Sequence, residues 1–450
     1  MATPRLTELR LTSFKSFRRA TMPLGDVTIL TGRNSSGKSN ALDALEVLSR
    51  LATGEDINDA LDGRRREGGP VRGGSLGCAP HGTRSFDLGC TVALGEDRWK
   101  YDVTIAVAPE LRITRERLLG PGPAVESGRV ENRWLISTPT SSTTAPGLQA
   151  EIHNGRRGVN PVMSFRDNRL IAAQVPLRIA RGTDAEEAVA FGAETVLSTL
   201  IGSFHLDPIP HLMRNYVPSR DTELRRTGEN VSAALARVRN EDPETFHRII
   251  SLVQKVADER ILDITIEASP LGDVTLALTE KFGKSIAQTP AREMSDGLLR
   301  FIAIATALLT SSKGLDIDSG VSTRDLRRGV LVVIEELENG LHPSQAARVL
   351  DLVLEATRGT RAHPSSTQVV LTTHSPALLN EVTGRANRSV LVCYRDNSGH
   401  SQFSRMTDLP EYAEALAAGE IGDAVSDGRL VNPRYPKRDT SEFARLLGID

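Results

Sequence analysis

Cysteine is scarce in this chain. Cys78, Cys90 and Cys393 are the only three among 450 residues, and they form no C-x-x-C pair. That usage fits a reducing cytoplasm. No basic-then-apolar leader opens the sequence. The longest apolar helix candidate, Leu298 to Leu309, is interrupted by Arg300 and is too short to span a bilayer. A soluble cytoplasmic protein without a membrane partner is expected. An excess of one charge is lacking as well. With 55 basic and 57 acidic residues the net charge is −2, which neither demands nor excludes nucleic acid, so any such contact must come from local patches. Lysine supplies 8 of the basic residues, a bias that points to genomic base composition more than to function. No internal repeat and no long heptad run is present, which argues against a long coiled coil. The nine histidines form no H-N-H or other metal-nuclease pattern.

What is there is concentrated in a few short segments. Gly32-Arg33-Asn34-Ser35-Ser36-Gly37-Lys38-Ser39 fits a phosphate-binding loop at every defining position. The apolar run Val27 to Leu30 before it reads as a buried strand, and the sequence from Asn40 continues with apolar residues at helical spacing. That strand–loop–helix context distinguishes the motif from a chance Gly/Ser turn. Glycines let successive N–H groups point at phosphate oxygens, and the helix N-terminus adds partial positive charge. Lys38 can reach the β- and γ-phosphates, and the Ser39 hydroxyl can complete a Mg²⁺ shell. Gly283-Lys284-Ser285 repeats only the end of the motif and reads as a hairpin turn after Phe282.

Along the chain, Leu6 to Phe17 and Ala20 to Thr31 alternate like strands, and a helix runs from about Lys38 to Leu51. Thr53 to Gly74 reads as a loop. Short alternating runs from Ser85 to about Ile179 predict an antiparallel meander, with Thr138 to Pro146 as a surface loop. The period is helical between about Ala185 and Ala257, with a stop and restart at Asn240 to Pro243. Strands return from Ile261 to Ala287, and the remainder alternates strand and helix. With 450 residues, more than one domain or lobe is expected. The divisions are an N-terminal lobe (1–184), a helical insertion (185–260), a C-terminal lobe (261–400) and a tail (401–450).

Three further segments carry chemistry. Val330 to Ile334 is a continuous apolar strand ending in Glu335-Glu336. Beside a phosphate loop, two carboxylates at a strand tip place Glu335 toward Mg²⁺ and Glu336 toward the attacking water. A second apolar strand, Val369 to Thr373, ends in His374, which can hydrogen-bond a γ-phosphate or that water. Ser295-Asp296-Gly297 precedes an apolar helix. It reads equally well as an anion site at a helix start or as an ordinary N-cap.

The order of these motifs resembles the ABC-type ATPases of the SMC, RecF and overcoming-lysogenization-defect (OLD) group. The phosphate loop is Gly32 to Ser39 with Asn40 beside it, and the signature is Ser295-Asp296-Gly297. The strand with its catalytic Glu336 runs from Val330 to Pro343, and the switch His is His374. The opening Leu9 to Phe17 is also similar. The likeness covers about residues 1–50 and 290–395. It implies an α/β, two-lobed ABC-type P-loop ATPase with an antiparallel β-subdomain and a helical insertion, using ATP and Mg²⁺. In the group, nucleotide is sandwiched between two subunits, so one copy of each motif implies a homodimer completed in trans. Glu335 stands where many relatives carry Asp. Gln174 is the candidate for the Q-loop residue.

Absences narrow this further. The segment between phosphate loop and signature is too long for a transporter ATPase. No TOPRIM nuclease is found: Asp316-Ile-Asp318 has D-x-D spacing but sits in a polar loop, and after Asn387 only a strand and a tail remain. The tail is acidic and apolar by turns from Asp408 to Asp427 and basic from Arg429 to Arg438, which reads as a solvated capping helix, with a partner-docking tail as the alternative. The resemblance implies a sensor or regulatory ATPase of an anti-phage defence system, working with a separately encoded effector nuclease. A RecF-like DNA-repair clamp and a non-hydrolysing ATP-bound scaffold are the alternatives. Arg64-Arg65-Arg66 could touch a DNA backbone or be a solvated run. DNA contact and oligomers beyond a dimer stay open.

Overall fold

The computed structural model describes residues 3–63, 69–123, 131–139, 147–156, 159–257, 259–311, 313–317, 329–342, 345–358, 366–382 and 384–431. One continuous sheet of fourteen strands runs through them. Five strands form a parallel half in the spatial order Ser203–Leu206, Val330–Ile334, Thr367–Thr372, Val27–Thr31 and Val390–Arg395. Uninterrupted runs such as Val-Leu-Val-Val-Ile suit strands buried on both faces. The hairpin Val390–Arg395/Ser401–Arg405 then hands the sheet to Phe17–Pro23 and Arg5–Phe14. From there an antiparallel meander continues through Ser85–Leu94, Asp97–Ala106, Arg112–Pro121, Asn132–Ser137, Leu148–Ile152 and Val162–Phe165.

Two hydrophobic cores lie on the two faces of this sheet, and each draws on both stretches, 1–184 and 261–400. Leu331 and Val333 join Leu30, Val370 and Leu391 in one core, under helices Lys38–Ala52 and Asp184–Ile201. Val330, Val332 and Ile334 join Val369 and Leu371 in the other, under Asp296–Leu309, Ala346–Thr357 and Pro376–Glu381. The alternation of a β-strand sorts neighbouring residues into separate cores. A smaller antiparallel sheet, Val217–Pro218, Ile261–Ala268, Asp273–Phe282 and Ser285–Pro290, adjoins the second core, and its last turn is the expected hairpin at Gly283-Lys284.

Several local expectations need correction. The meander ends at Phe165, and Ile171–Arg178 is helical. The buried Glu116 carboxylate accepts the first N–H groups of that helix, from Ile171 and Ala172, at 2.6 and 2.8 Å. A short helix, Ile57–Asp62, lies within the stretch read as loop, capped by Asp56. The helical stretch after Ala185 is broken by Ser203–Leu206, which completes the parallel half. At Asn240 to Pro243 the stop and restart is present: Asp242 ends one helix and caps the next through Thr245 N. The described part of the tail packs on its own chain, because Gly422 abuts Pro376 and donates to Asn380 Oδ1 at 2.9 Å. Arg64 to Arg66, Asp318, residues 140–146 and residues 432–450 lie outside the described residues. No helix among the described residues is long and apolar enough to cross a membrane.

Candidate nucleotide site

The strand Val27–Thr31 delivers the chain into the Gly32–Lys38 loop at the C-terminal end of the parallel half. Gly32 and Gly37 have φ of +134° and +119°, outside the range L side chains favour. Each is also pressed from behind. A methyl group at Gly32 would overlap the Cys393 carbonyl oxygen, and one at Gly37 would overlap Ser401 Oγ. Ser401 Oγ donates to Ser36 O at 2.5 Å, and Arg395 Nε donates to Ser35 O at 3.1 Å. Asn40 Nδ2 donates to Ser16 Oγ, itself 2.8 Å from Ser401 Oγ. The loop is therefore fixed by the strand beside it and by the turn between the first two strands.

Helix Lys38–Ala52 begins at a glycine with no capping side chain and has no acidic residue in its first turn. Its N–H groups are left for an anion. Lys38 is 5 % exposed, and its ammonium donates to Gly32 O at 2.8 Å and Arg33 O at 3.1 Å. Burial lowers its pKa, opposed by Cys393 and the carboxylates of Glu336, Glu338 and Glu335.

Those carboxylates come from the neighbouring strand. Ile334 pairs with Leu371, and Leu371 with Ile29, so three strand tips end side by side. Glu336 adopts φ +50°, a conformation that is costly for a residue with a side chain. Its N–H donates to Thr372 Oγ1 at 2.8 Å, and its Oε2 accepts from Asn339 Nδ2 at 2.8 Å. Glu336 Oε1 lies 3.8 Å from His374 Nε2. Burial and Lys38 lower the His374 pKa against the pull of Glu338 and Glu336, which leaves the ring neutral at pH 7. The next acidic residue, Glu338, accepts the His374 backbone N–H at 2.5 Å and ties the two tips together.

Glu335 turns the other way and meets Arg72 Nη2 at 3.2 Å. Arg72 also lies 3.6 Å from Asp43, whose carboxylate binds Lys15 at 2.6 Å. Since Leu206 pairs with Ile334, Asp207 stands beside Glu335, and both line a small cleft with Asp43, Arg72 and His205. Behind it, Glu46 binds Arg50 at 2.6 Å and Arg226 at 2.5 Å. Burial would raise the Glu46 pKa, but His205, Arg226 and Arg50 outweigh it and hold it at about 2. Burial pushes His205 down to about 4, although Glu46 pulls upward.

Ser295 Oγ accepts from Leu298 N at 3.2 Å, so the ordinary N-cap is made. Asp296 pairs with Arg214 at 2.6 Å. A methyl group at Gly297 would overlap Gly340 O, so the turn rests on the loop that follows Glu336. Lys38, Glu335, Glu336 and His374 are thus gathered at one end of the sheet, with Gly297 packed against Gly340 of the loop that follows Glu336. Gln174 is committed elsewhere: its amide accepts from Arg166 N and donates to the carbonyls of Arg166, Arg169 and Leu170. Arg72, Asp43, Asp207, Arg214 and Glu338 were not singled out from sequence. Only Glu338, two residues beyond Glu336 at the same strand tip, carried a local signal.

The residues fit a nucleotide with its metal. The uncapped helix start and the glycines, where no Cβ fits, suit phosphate. Among the described residues no cluster of three or more His, Cys, Asp or Glu could hold an ion by itself. Mg²⁺ in such sites takes one or two protein oxygens together with phosphate and water, which Ser39 and Glu335 can supply.

A family model described as "AAA domain, putative AbiEii toxin, Type IV TA system" matches residues 27–145 and 181–380. No curated protein matches the chain. Among solved structures, the chain is similar to an SMC head bound to the C-winged helix domain of ScpA. The identity is 14 %, with 89 % of this chain and 97 % of that one covered and a TM-score of 0.44. It is also similar to the SMC head domain from Thermotoga maritima, at 13 % identity, 89 % and 98 % coverage and a TM-score of 0.39. The third is an Smc head domain bound to the C-terminal domain of ScpA derived from Pyrococcus furiosus, at 13 % identity, 89 % and 96 % coverage and a TM-score of 0.39.

Proposed function

The chain belongs to the family of AAA domains described by that model, and from this premise we propose that it is an ATP-hydrolysing, ATP-gated homodimer. In this reading it is the sensor or regulatory subunit of an anti-phage defence system whose effector nuclease is separately encoded. The observation that carries the reading is the convergence of a buried Lys38 with Glu335, Glu336 and His374 on adjacent strand tips. The toxin and toxin–antitoxin terms in the family description support the defence setting.

Bound ATP with Mg²⁺ supplies the phosphoanhydride bond and the neutralising ion, with Ser39 and Glu335 as the residues that would hold the metal. The N–H groups of the Gly32–Lys38 loop hold the phosphates, and Lys38 gives their counter-charge. Glu336, fixed by Asn339 and Thr372, orients the water and takes its proton. Neutral His374 offers one hydrogen bond to the γ-phosphate or that water. Arg72 holds Glu335, and Glu338 holds the His374 turn. The Ser295–Gly297 helix start covers the phosphates of a second copy.

Mixing Lys38→Ala chains with Ser295→Arg chains, each inactive alone, tests the dimer, because mixed dimers carry one intact composite site. Partial recovery is expected; none, in mixtures shown by mass to hold heterodimers, would favour a site built within one chain. Cleavage assays test the division of labour. The isolated chain should hydrolyse ATP slowly and leave DNA uncut with Mg²⁺ or Mn²⁺, gaining nuclease activity only with a co-encoded partner. Cutting by the isolated chain would overturn that division. Robust ATP-dependent DNA binding at physiological salt would instead favour the repair clamp.

A further inference from the structure

Asp296 puts a carboxylate in the first turn of the helix whose start is read above as the receptor for a neighbour's phosphates. An acid there opposes that task, since like charges a few ångströms apart at a surface repel strongly. The chain supplies an opposing charge. Arg214 Nη2 donates to Asp296 Oδ1 at 2.6 Å and to Met294 O at 2.8 Å, so one guanidinium holds the backbone before the turn and the acid within it. Arg214 is 25 % exposed and Asp296 67 %: the base is anchored and the acid is presented.

The anchor can be traced to the sheet. Arg214 follows the single turn Pro210–Met213, whose Met213 is buried in the second core. Asp207 N donates to Arg226 O and Ile209 N to Thr227 O, both at 2.9 Å, which ties down the chain between the strand and that turn. The strand Ser203–Leu206 is itself paired with Val330–Ile334, which ends in Glu335. The guanidinium that grips the Ser295–Gly297 turn is therefore fastened to the edge strand beside the one that ends in the acidic tip.

We propose that Arg214 is a positioning residue for ATP-driven dimerisation, cancelling the Asp296 charge and clamping the turn so that its N–H groups can receive a neighbour's phosphates. The inference rests on the sandwich reading given above. The test measures dimerisation on ATP by light scattering in a Glu336→Gln background, with the substitutions Arg214→Ala, Asp296→Asn and both together.

Arg214→Ala should weaken the ATP-dependent dimer about tenfold, more at low salt than at high, with ATP binding to the monomer unchanged. Asp296→Asn alone should tighten the dimer about threefold, because a repulsive charge is gone and Arg214 is free to attract. In the double variant the part of the loss due to the uncancelled Asp296 charge should disappear, which a merely structural role of Arg214 would not allow, while the part due to the lost grip on Met294 O stays. If Arg214→Ala dimerises like its parent, or if adding Asp296→Asn does not lessen its loss, the inference is overturned and the sandwich stands. If the parent does not dimerise on ATP, the sandwich reading falls and the inference with it. Should Arg214→Ala fail to fold, Asp296→Asn alone decides: a tighter dimer supports the proposal and a weaker one overturns it.

Discussion

The helix Lys38–Ala52 and the helix Asp296–Leu309 both begin at glycine-bearing turns, and they begin differently. The helix after the phosphate loop starts at Gly37, left-handed, without a capping side chain and without an acid in its first turn. The helix at Leu298 starts at Ser295 in extended conformation, caps itself through its own hydroxyl and carries an acid that Arg214 must balance. The first is braced from behind by backbone and hydroxyl groups of Cys393 and Ser401, the second from the side by Gly340 and Arg214. A loop that wraps phosphates has to keep its N–H groups unspent and accept a stiff backing instead. In the proposed dimer the second turn would meet phosphate only when a second surface arrives, so it can satisfy part of its own hydrogen bonding meanwhile.

The comparison can be broken most severely at Lys38. Lys38→Ala removes the counter-charge from the uncapped loop, and ATP affinity should fall at least about a hundredfold. Titration calorimetry giving an unchanged affinity would remove the central claim. Glu336→Gln should spare the loop and the turn alike while losing the water-orienting base. Turnover is then expected to drop about 10²–10⁴-fold, and ATP-bound dimer should accumulate; wild-type turnover would place the role on another residue.

Gly297→Ala sharpens the contrast. The added methyl meets Gly340 O, so the cost is overpacking of about 1–3 kcal/mol. Hydrolysis should fall about tenfold with ATP binding by the monomer retained, because only the self-capped turn is displaced. Equal loss of nucleotide binding in calorimetry would show that the two helix starts are not separable.

The last effect concerns pH and leaves both helix starts intact. Burial lowers the His205 pKa to about 4, so the unfolded chain takes up its proton first. Its contribution to stability is complete above about pH 6.5 and is lost as pH falls toward 4. Between pH 7 and 5 that amounts to about 2 kcal/mol, and His153 and His374, shifted the same way, add to the slope. Glu46 acts lower, its contribution fading only as pH falls from the ordinary carboxylate range toward 2. Urea melts at pH 7 and 5 should show a shallower loss in His205→Gln; an unchanged slope would assign the acid sensitivity elsewhere.

The strands ending in Glu336 and His374 were legible because each is an apolar run with a polar residue at its tip, a pattern contained in six or seven consecutive residues. The phosphate loop was legible for the same reason. Ser203–Leu206 was not, since Ser-Phe-His-Leu is four residues long, sits between helical stretches and becomes a strand only through its pairing with Val330–Ile334. Ile171–Arg178 read as strand because its helix is set by the distant Glu116 carboxylate at its start. Arg72 and Arg214 gave no signal, because what matters is that they stand against Glu335 and Asp296, 263 and 82 residues away. Local pattern revealed the candidate site residues; the groups that hold them are set by long-range packing.

The backing of the phosphate loop also bears on how the protein is made. Ser36 O receives the Cys393 thiol and the Ser401 hydroxyl, 357 and 365 residues downstream. A ribosome that has released the whole Gly32–Ser39 motif has still to make the strand Val390–Arg395 that closes it from behind. Nucleotide binding should therefore be acquired late in translation and abruptly: nascent chains stalled before Val390 should not retain labelled ATP, whereas chains released past Arg405 should. Until then the exposed edge of Val27–Thr31 is open to wrong partners, the hazard of a sheet whose neighbours lie far apart in the chain.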